Sequence, residues 1–163
     1  MTSITMSISL FTAKTAYNSS FDTIYKIDKL TPVGATMYLR FVTLTPDEES
    51  RKKQGLFFSV QRLLDDGEFD RYEIEAVKQI LNWFNDKMKV PPLLKRDGNN
   101  RCIAWFKPEA EQAIKLMWEM YYLLQAKGIP VEVLKDDDVG EIHYEDDWQV
   151  IAQPYRHNRK RHY

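Results

Sequence analysis

The feature that most constrains this chain is one helix with a marked beginning and end, set between two short apolar runs. Pro108 suits a first helical position, where a fixed φ and a missing N–H cost nothing. Glu109 and Glu111 put negative charge into the first turn, where the helix dipole favours it. Ala110, Ala113, Ile114, Met117, Met120, Tyr121 and Leu124 then recur every three or four residues, so one face is apolar along a helix of roughly 30 Å. Lys127, Gly128 and Pro130 form the stop signal. Before the helix, Cys102-Ile103-Ala104-Trp105-Phe106 is apolar on both alternating faces, the pattern of a strand covered on both sides. After it, Val131 and Val133 alternate with Glu132. Strand, helix and strand in this order predict a βαβ unit with a parallel pair and a right-handed crossover.

The flanking segments complete an α+β fold. Met37 to Leu44 reads as a strand, and Thr45, Pro46 and Glu48 as a capping box opening a helix with Leu56, Val60, Leu63 and Leu64 on its apolar face. Asp70 and Glu73 repeat that spacing for a second helix, seamed by Ile74, Val77, Leu81, Phe84 and Met88. Pro91-Pro92 ends it, and Lys95 to Arg101 reads as a loop. Ile142 and Tyr144, then Trp148, Val150 and Ala152, predict a C-terminal hairpin turning at Glu145-Asp146-Asp147. The expectation is a mixed sheet of about five strands with three main helices, in order βααβαβββ.

Three parts differ in character. Residues 1–34 form a polar N-terminal extension or arm in which Ile4, Met6, Ile8 and Leu10 alternate with polar residues, unlike a signal peptide. Residues 35–154 form the single α+β domain. Residues 155–163 are a basic tail: four of the 23 Lys and Arg and none of the 24 Asp and Glu lie there, so the remainder carries net charge −5. The single Cys102 cannot form an intramolecular disulfide, which points to a reducing cytoplasm; no apolar run has membrane length.

Asn82-Trp83-Phe84-Asn85, Ile103-Ala104-Trp105-Phe106-Lys107, Gly128-Ile129-Pro130-Val131 and Tyr144-Glu145-Asp146-Asp147 resemble a group of small uncharacterised bacterial proteins, over roughly Met37 to Pro154. The resemblance implies a bacterial cytoplasmic origin and brings no activity, cofactor or catalytic residue with it.

With helices on one face of the sheet, the other is expected to be open and polar, presenting Tyr38, Arg40, Glu132 and Gln149 for ligand binding. On that face Glu141, His143 and Glu145 alternate and point the same way, as a general base held between carboxylates would require; an ordinary solvated face has the same pattern. The three form no standard metal spacing, and no metal or cofactor is expected. Asp136-Asp137-Asp138 lacks the glycine and closing glutamate of a calcium loop and reads as a solvated turn. Trp83 and Trp118 fall off the main apolar lines of their helices: they are candidates for a homodimer interface, or equally mark a second buried face. Arg156, Arg159, Lys160 and Arg161 are the residues with which nucleic acid would be met, though the acidic body opposes it. These features favour a non-enzymatic binding or regulatory module that self-associates, over a small hydrolase or transferase using His143 and over nucleic-acid contact through the tail.

Overall fold

One strand organises the sheet. The computed structural model describes residues 36–46, 53–91 and 101–162; the expected arm at residues 1–34, the loop expected between residues 95 and 100 and the cap partner Glu48 lie outside them. Strand β1 (Tyr38–Pro46) carries β4 (Val131–Asp136) along one edge, from Tyr38 opposite Asp136 to Thr43 opposite Val131. Its other edge is shared: β2 (Lys53–Gly55) pairs near its C-terminal end and β3 (Ile103–Phe106) meets it at Leu39 opposite Phe106. Beyond β3 lie β6 (Gln149–Gln153) and then β5 (Glu141–Glu145), and every pairing is antiparallel.

The fold is α+β with three main helices, α1 (Leu56–Asp65), α2 (Arg71–Lys87) and α3 (Glu111–Ala126), and a C-terminal hairpin, as the sequence predicts. Helix α3 joins β3 to β4, which run the same way, but β1 is inserted between them, so the expected parallel pair is not formed and the sheet is antiparallel and not mixed. Thr45 and Pro46, expected to start a helix, instead end β1, because Pro46 is opposite Lys53 of β2. Local signals hold elsewhere. The Asp70 carboxylate accepts from the N–H groups of Tyr72 and Glu73, and Glu73 returns the bond to the Asp70 N–H at 2.8 Å. Gly128 ends α3 with φ +76°, and the N–H of Ile129 reaches back to the Leu124 carbonyl.

Leu39, Phe41 and Thr43 face the helical layer, where α1 and α2 both pack on α3. There the Phe41 ring meets Trp118 edge-on at 5.3 Å and Phe106 at 6.4 Å, and the Ser59 hydroxyl donates to Thr43 Oγ1. The opposite face has its own small core of Ile103, Trp105, Val139, Val150 and Ala152, with Tyr38 and Leu134 packed against it. It is covered by residues 137–140 and by the segment that ends in a single helical turn, α4 (Arg159–His162). Trp105 is 1% exposed; burying a tryptophan removes about 200 Å² of largely apolar surface, on the order of 5 kcal/mol. No helix among the described residues is long and apolar enough to cross a membrane.

Candidate functional site

The expected catalytic strand does not assemble. In β5 the register slips between Ile142 and Tyr144, so that Glu141 is opposite Gln153 while Glu145 is opposite Val150. Partners opposite one another share a face, and one extra residue reverses the alternation beyond it. Glu141 and Glu145 therefore lie on opposite faces, with exposed His143 at the bulge between them. Glu145 pairs instead with Lys107, whose ammonium stands 2.7 Å from it. Burial and the Glu145 charge raise the nearby Tyr38 hydroxyl above its ordinary pKa.

The other expected site residues have structural partners. Gln149 is buried and gives its amide to the Asp146 carboxylate. Trp118 is buried among Phe41, Tyr121 and Tyr122, and half-buried Trp83 stands edge-on to Phe84 and Trp148. Arg40 and Glu132, by contrast, lie where β2 and the C-terminal segment meet β1 and β4.

That place exists because the basic segment folds back. The Asn158 amide, wholly buried, donates to the carbonyl and the carboxylate of Asp138 at 2.7 and 2.8 Å. His162 Nε2 stands 2.9 Å from Asp136 Oδ2, with Arg161 at 3.4 Å from the same oxygen and the Trp105 ring edge-on to the imidazole at 4.8 Å. Arg40 donates to the backbone carbonyls of His162 and Lys53, joining β1, β2 and α4. The acidic run that reads as a solvated turn is thus the dock for the tail. Of the four residues expected to meet nucleic acid, Arg161 is engaged with Asp136 and Asn158, Arg159 is half-buried, and Arg156 and Lys160 are exposed.

Docking closes a cleft of about 310 Å³. Lys53, Lys160 and Arg161 supply three positive charges to its lining, against Glu132 and Asp136; Lys53 and Glu132 are 2.6 Å apart, and Lys135, which also borders it, is opposite Leu39 and so belongs to the helical face of the sheet. Trp105, Leu134 and His162 complete the wall. Three buried polar atoms have no hydrogen-bond partner among the described residues: Trp105 Nε1, His162 Nδ1 and Arg159 Nε. Assigned from its neighbour, His162 carries a proton on Nε2 toward Asp136, which leaves Nδ1 unsatisfied in either charge state. Burial alone would raise the Asp136 carboxyl, but hydrogen bonds from His162 and the Asp138 N–H, with the Arg161 charge, hold it below the ordinary carboxylate range. No three His, Cys, Asp or Glu side chains among the described residues come together as metal ligands.

No family model, curated protein or solved structure matches this chain. The site's chemistry therefore rests on its own residues. Lys53, Trp105, Lys135, Asp136 and His162 carry no motif that marks them in the sequence; the one available signal was the opposite sign of Asp136-Asp137-Asp138 and the tail.

The carboxylates that build this face make stability depend on acid. At the β5–β6 turn Asp146 is raised by burial, but the N–H groups of Trp148 and Gln149, with the Gln149 amide and Tyr144 hydroxyl, overcome this and lower it. Asp138 is lowered first by the Asn158 amide. A group whose pKa is lower in the folded chain contributes fully above its unfolded value and loses that contribution as pH falls through the folded one. The urea midpoint is expected to fall as pH drops below about 4, and to fall less steeply in Asp146→Asn. A midpoint that holds or rises on acidification would overturn this assignment.

Proposed function

We propose that this protein is a binding module for a small anionic ligand, held in the cleft between β4 and the C-terminal turn. The observation that carries the proposal is the charge of the lining, three cations against two carboxylates, in a chain whose formal net charge is −1. A concave site with surplus positive charge concentrates anions, and lysine and arginine supply charge-assisted donors. The buried, unpartnered nitrogens of Trp105 and His162, both in the lining, support it further, since a bound ion or water would give them the hydrogen bonds they lack. A reducing, cytoplasmic setting suits the single half-buried Cys102.

Titration calorimetry with inorganic phosphate at constant ionic strength tests the proposal. Two or three charge-assisted hydrogen bonds of about 1.5–3 kcal/mol each correspond to a Kd of about 6 mM or tighter. Saturable binding that weakens in Lys53→Ala is the expected result, and no saturable heat up to about ten times that concentration sinks the proposal.

Self-association is the second reading, now on different residues. Leu44 and Phe58 are each 55% exposed, whereas Trp118 is buried. Sedimentation of the chain and of Phe58→Lys decides it: a dimer that becomes monomeric in the variant supports the reading, and a monomer at the outset removes it.

A further inference from the structure

Two nitrogens in the cleft wall constrain the ligand more closely than the charges do. Trp105 and His162 are each 1% exposed and both line the cleft, one from β3 and the other from the terminal turn, with their rings edge-on at 4.8 Å. Trp105 Nε1 and His162 Nδ1 have no hydrogen-bond partner among the described residues, and each is desolvated without a bond in return. Their needs are opposite. An indole nitrogen only donates. His162 Nε2 stands 2.9 Å from Asp136 Oδ2 and carries the proton toward it, so neutral His162 keeps Nδ1 as an acceptor. A carboxylate oxygen can serve the indole but has no proton for the imidazole. A hydroxyl has one donor and two acceptor sites, and serves both.

The cations set the charge of the ligand. Lys53 is paired with Glu132 at 2.6 Å, and Arg161 with Asp136 at 3.4 Å. Lys160 is exposed and has no partner among the described residues, which leaves the lining one positive charge in surplus with His162 neutral. A carboxylate brings one negative charge, whereas a phosphoryl group brings about 1.5–2 near neutral pH.

We propose that the anion is a small hydroxycarboxylate, its carboxylate on Lys160 and its hydroxyl accepting from Trp105 Nε1 while donating to His162 Nδ1. This rests on the anion-binding reading above and names the ligand class. Both nitrogens are closed to water, so the terminal turn shifts to admit the hydroxyl. A four-residue turn, anchored on the sheet side by Asn158 and His162, is the part of this face able to do so. Inorganic phosphate, which also keeps a hydroxyl near neutral pH, can meet the same two nitrogens but carries up to about twice the charge.

Lactate and propionate share their charge and carbon chain and differ by one hydroxyl. Calorimetry of the full chain near neutral pH, at constant ionic strength, is expected to give lactate a Kd about tenfold below that of propionate, the difference two neutral hydrogen bonds make. Lys160→Gln, a change at an exposed position, is expected to weaken both probes about fivefold and to leave their ratio unchanged. A second measurement needs no variant of the cleft. Of the four tryptophan indole N–H signals in a nitrogen–proton correlation spectrum, that of Trp105 is expected to move downfield with lactate and to hold its place with propionate; Trp105→Phe serves only to assign it. Equal affinities, or a lactate preference that leaves the Trp105 signal unmoved, would mean that the hydroxyl does not reach these nitrogens, which overturns the inference and leaves anion binding standing. Saturable binding of phosphate but of neither carboxylate does the same. Absence of saturable binding by lactate, propionate and phosphate alike overturns this inference and the underlying reading together.

Discussion

Gly140→Ala is expected to destabilise the protein by about 3 kcal/mol or more, lowering Tm by about 10 °C. Two costs coincide at this residue. Its φ is +104°, a conformation that side chains with a Cβ rarely adopt, and an added Cβ would run into the backbone oxygen and carbon of Gln153 and the Cα of Pro154. Those are backbone atoms at the end of β6, whose neighbours Ile151 and Ala152 are fully buried, so relief requires moving the sheet. Gly128→Ala is the control: φ is also positive, +76°, but nothing lies within 4 Å of the added carbon, and a loss of about 1 kcal/mol is expected there. Equal losses at the two positions, measured by thermal or urea unfolding, would mean that the approach to Gln153 is readily relaxed.

Asp136→Ala is expected to release the terminal segment while leaving the helical side of the sheet intact. Asp136, 6% exposed, is where His162 and Arg161 both terminate. Removing the acceptor of a buried hydrogen bond costs about 1–3 kcal/mol, because the donor stays desolvated unless it leaves. Here the partner is free to leave: a four-residue turn separates at the cost of a few contacts, whereas global unfolding would discard the whole Phe41, Trp118 and Phe106 cluster. The expected outcome is faster cleavage after Arg156 with far-UV circular dichroism nearly unchanged, and a red-shifted tryptophan emission as Trp105 is uncovered. Asp136→Asn keeps an oxygen for His162 and is expected to fall between wild type and alanine. Cooperative loss of all secondary structure in Asp136→Ala would show that the segment belongs to the global folding unit.

How far the sequence could be read follows from the range of each interaction. The Asp70 and Glu73 box, the Gly128 stop and the β5–β6 turn on Asp146 are closed within a few residues, and all are legible. The bulge at His143 is not, since it is a mismatch between two strands that each alternate acceptably alone; it undoes the expected grouping of Glu141, His143 and Glu145. Trp118 was ambiguous for a similar reason: its helix permits either face, and only Phe41 on a distant strand makes the inner one favourable. The cleft was least legible, because each charge in it looks like ordinary surface until the tail docks. Asp136 looks like a turn residue and His162 like part of a solvated tail, and their meeting is visible only as opposite signs at two places in the chain.

The central place of β1 has a consequence for how the protein is made. Its longest pairing sets Tyr38 against Asp136, about a hundred residues further on, and local helices cannot substitute for it. During synthesis at about 5–20 residues per second, β1 has left the ribosome for on the order of 5–20 s before β4 exists. Through that interval a strand bearing Leu39, Phe41 and Val42, all buried when folding is complete, keeps one edge unpaired. The nascent chain is therefore most vulnerable to wrong pairing, and most in need of a chaperone's cover, early in its own translation.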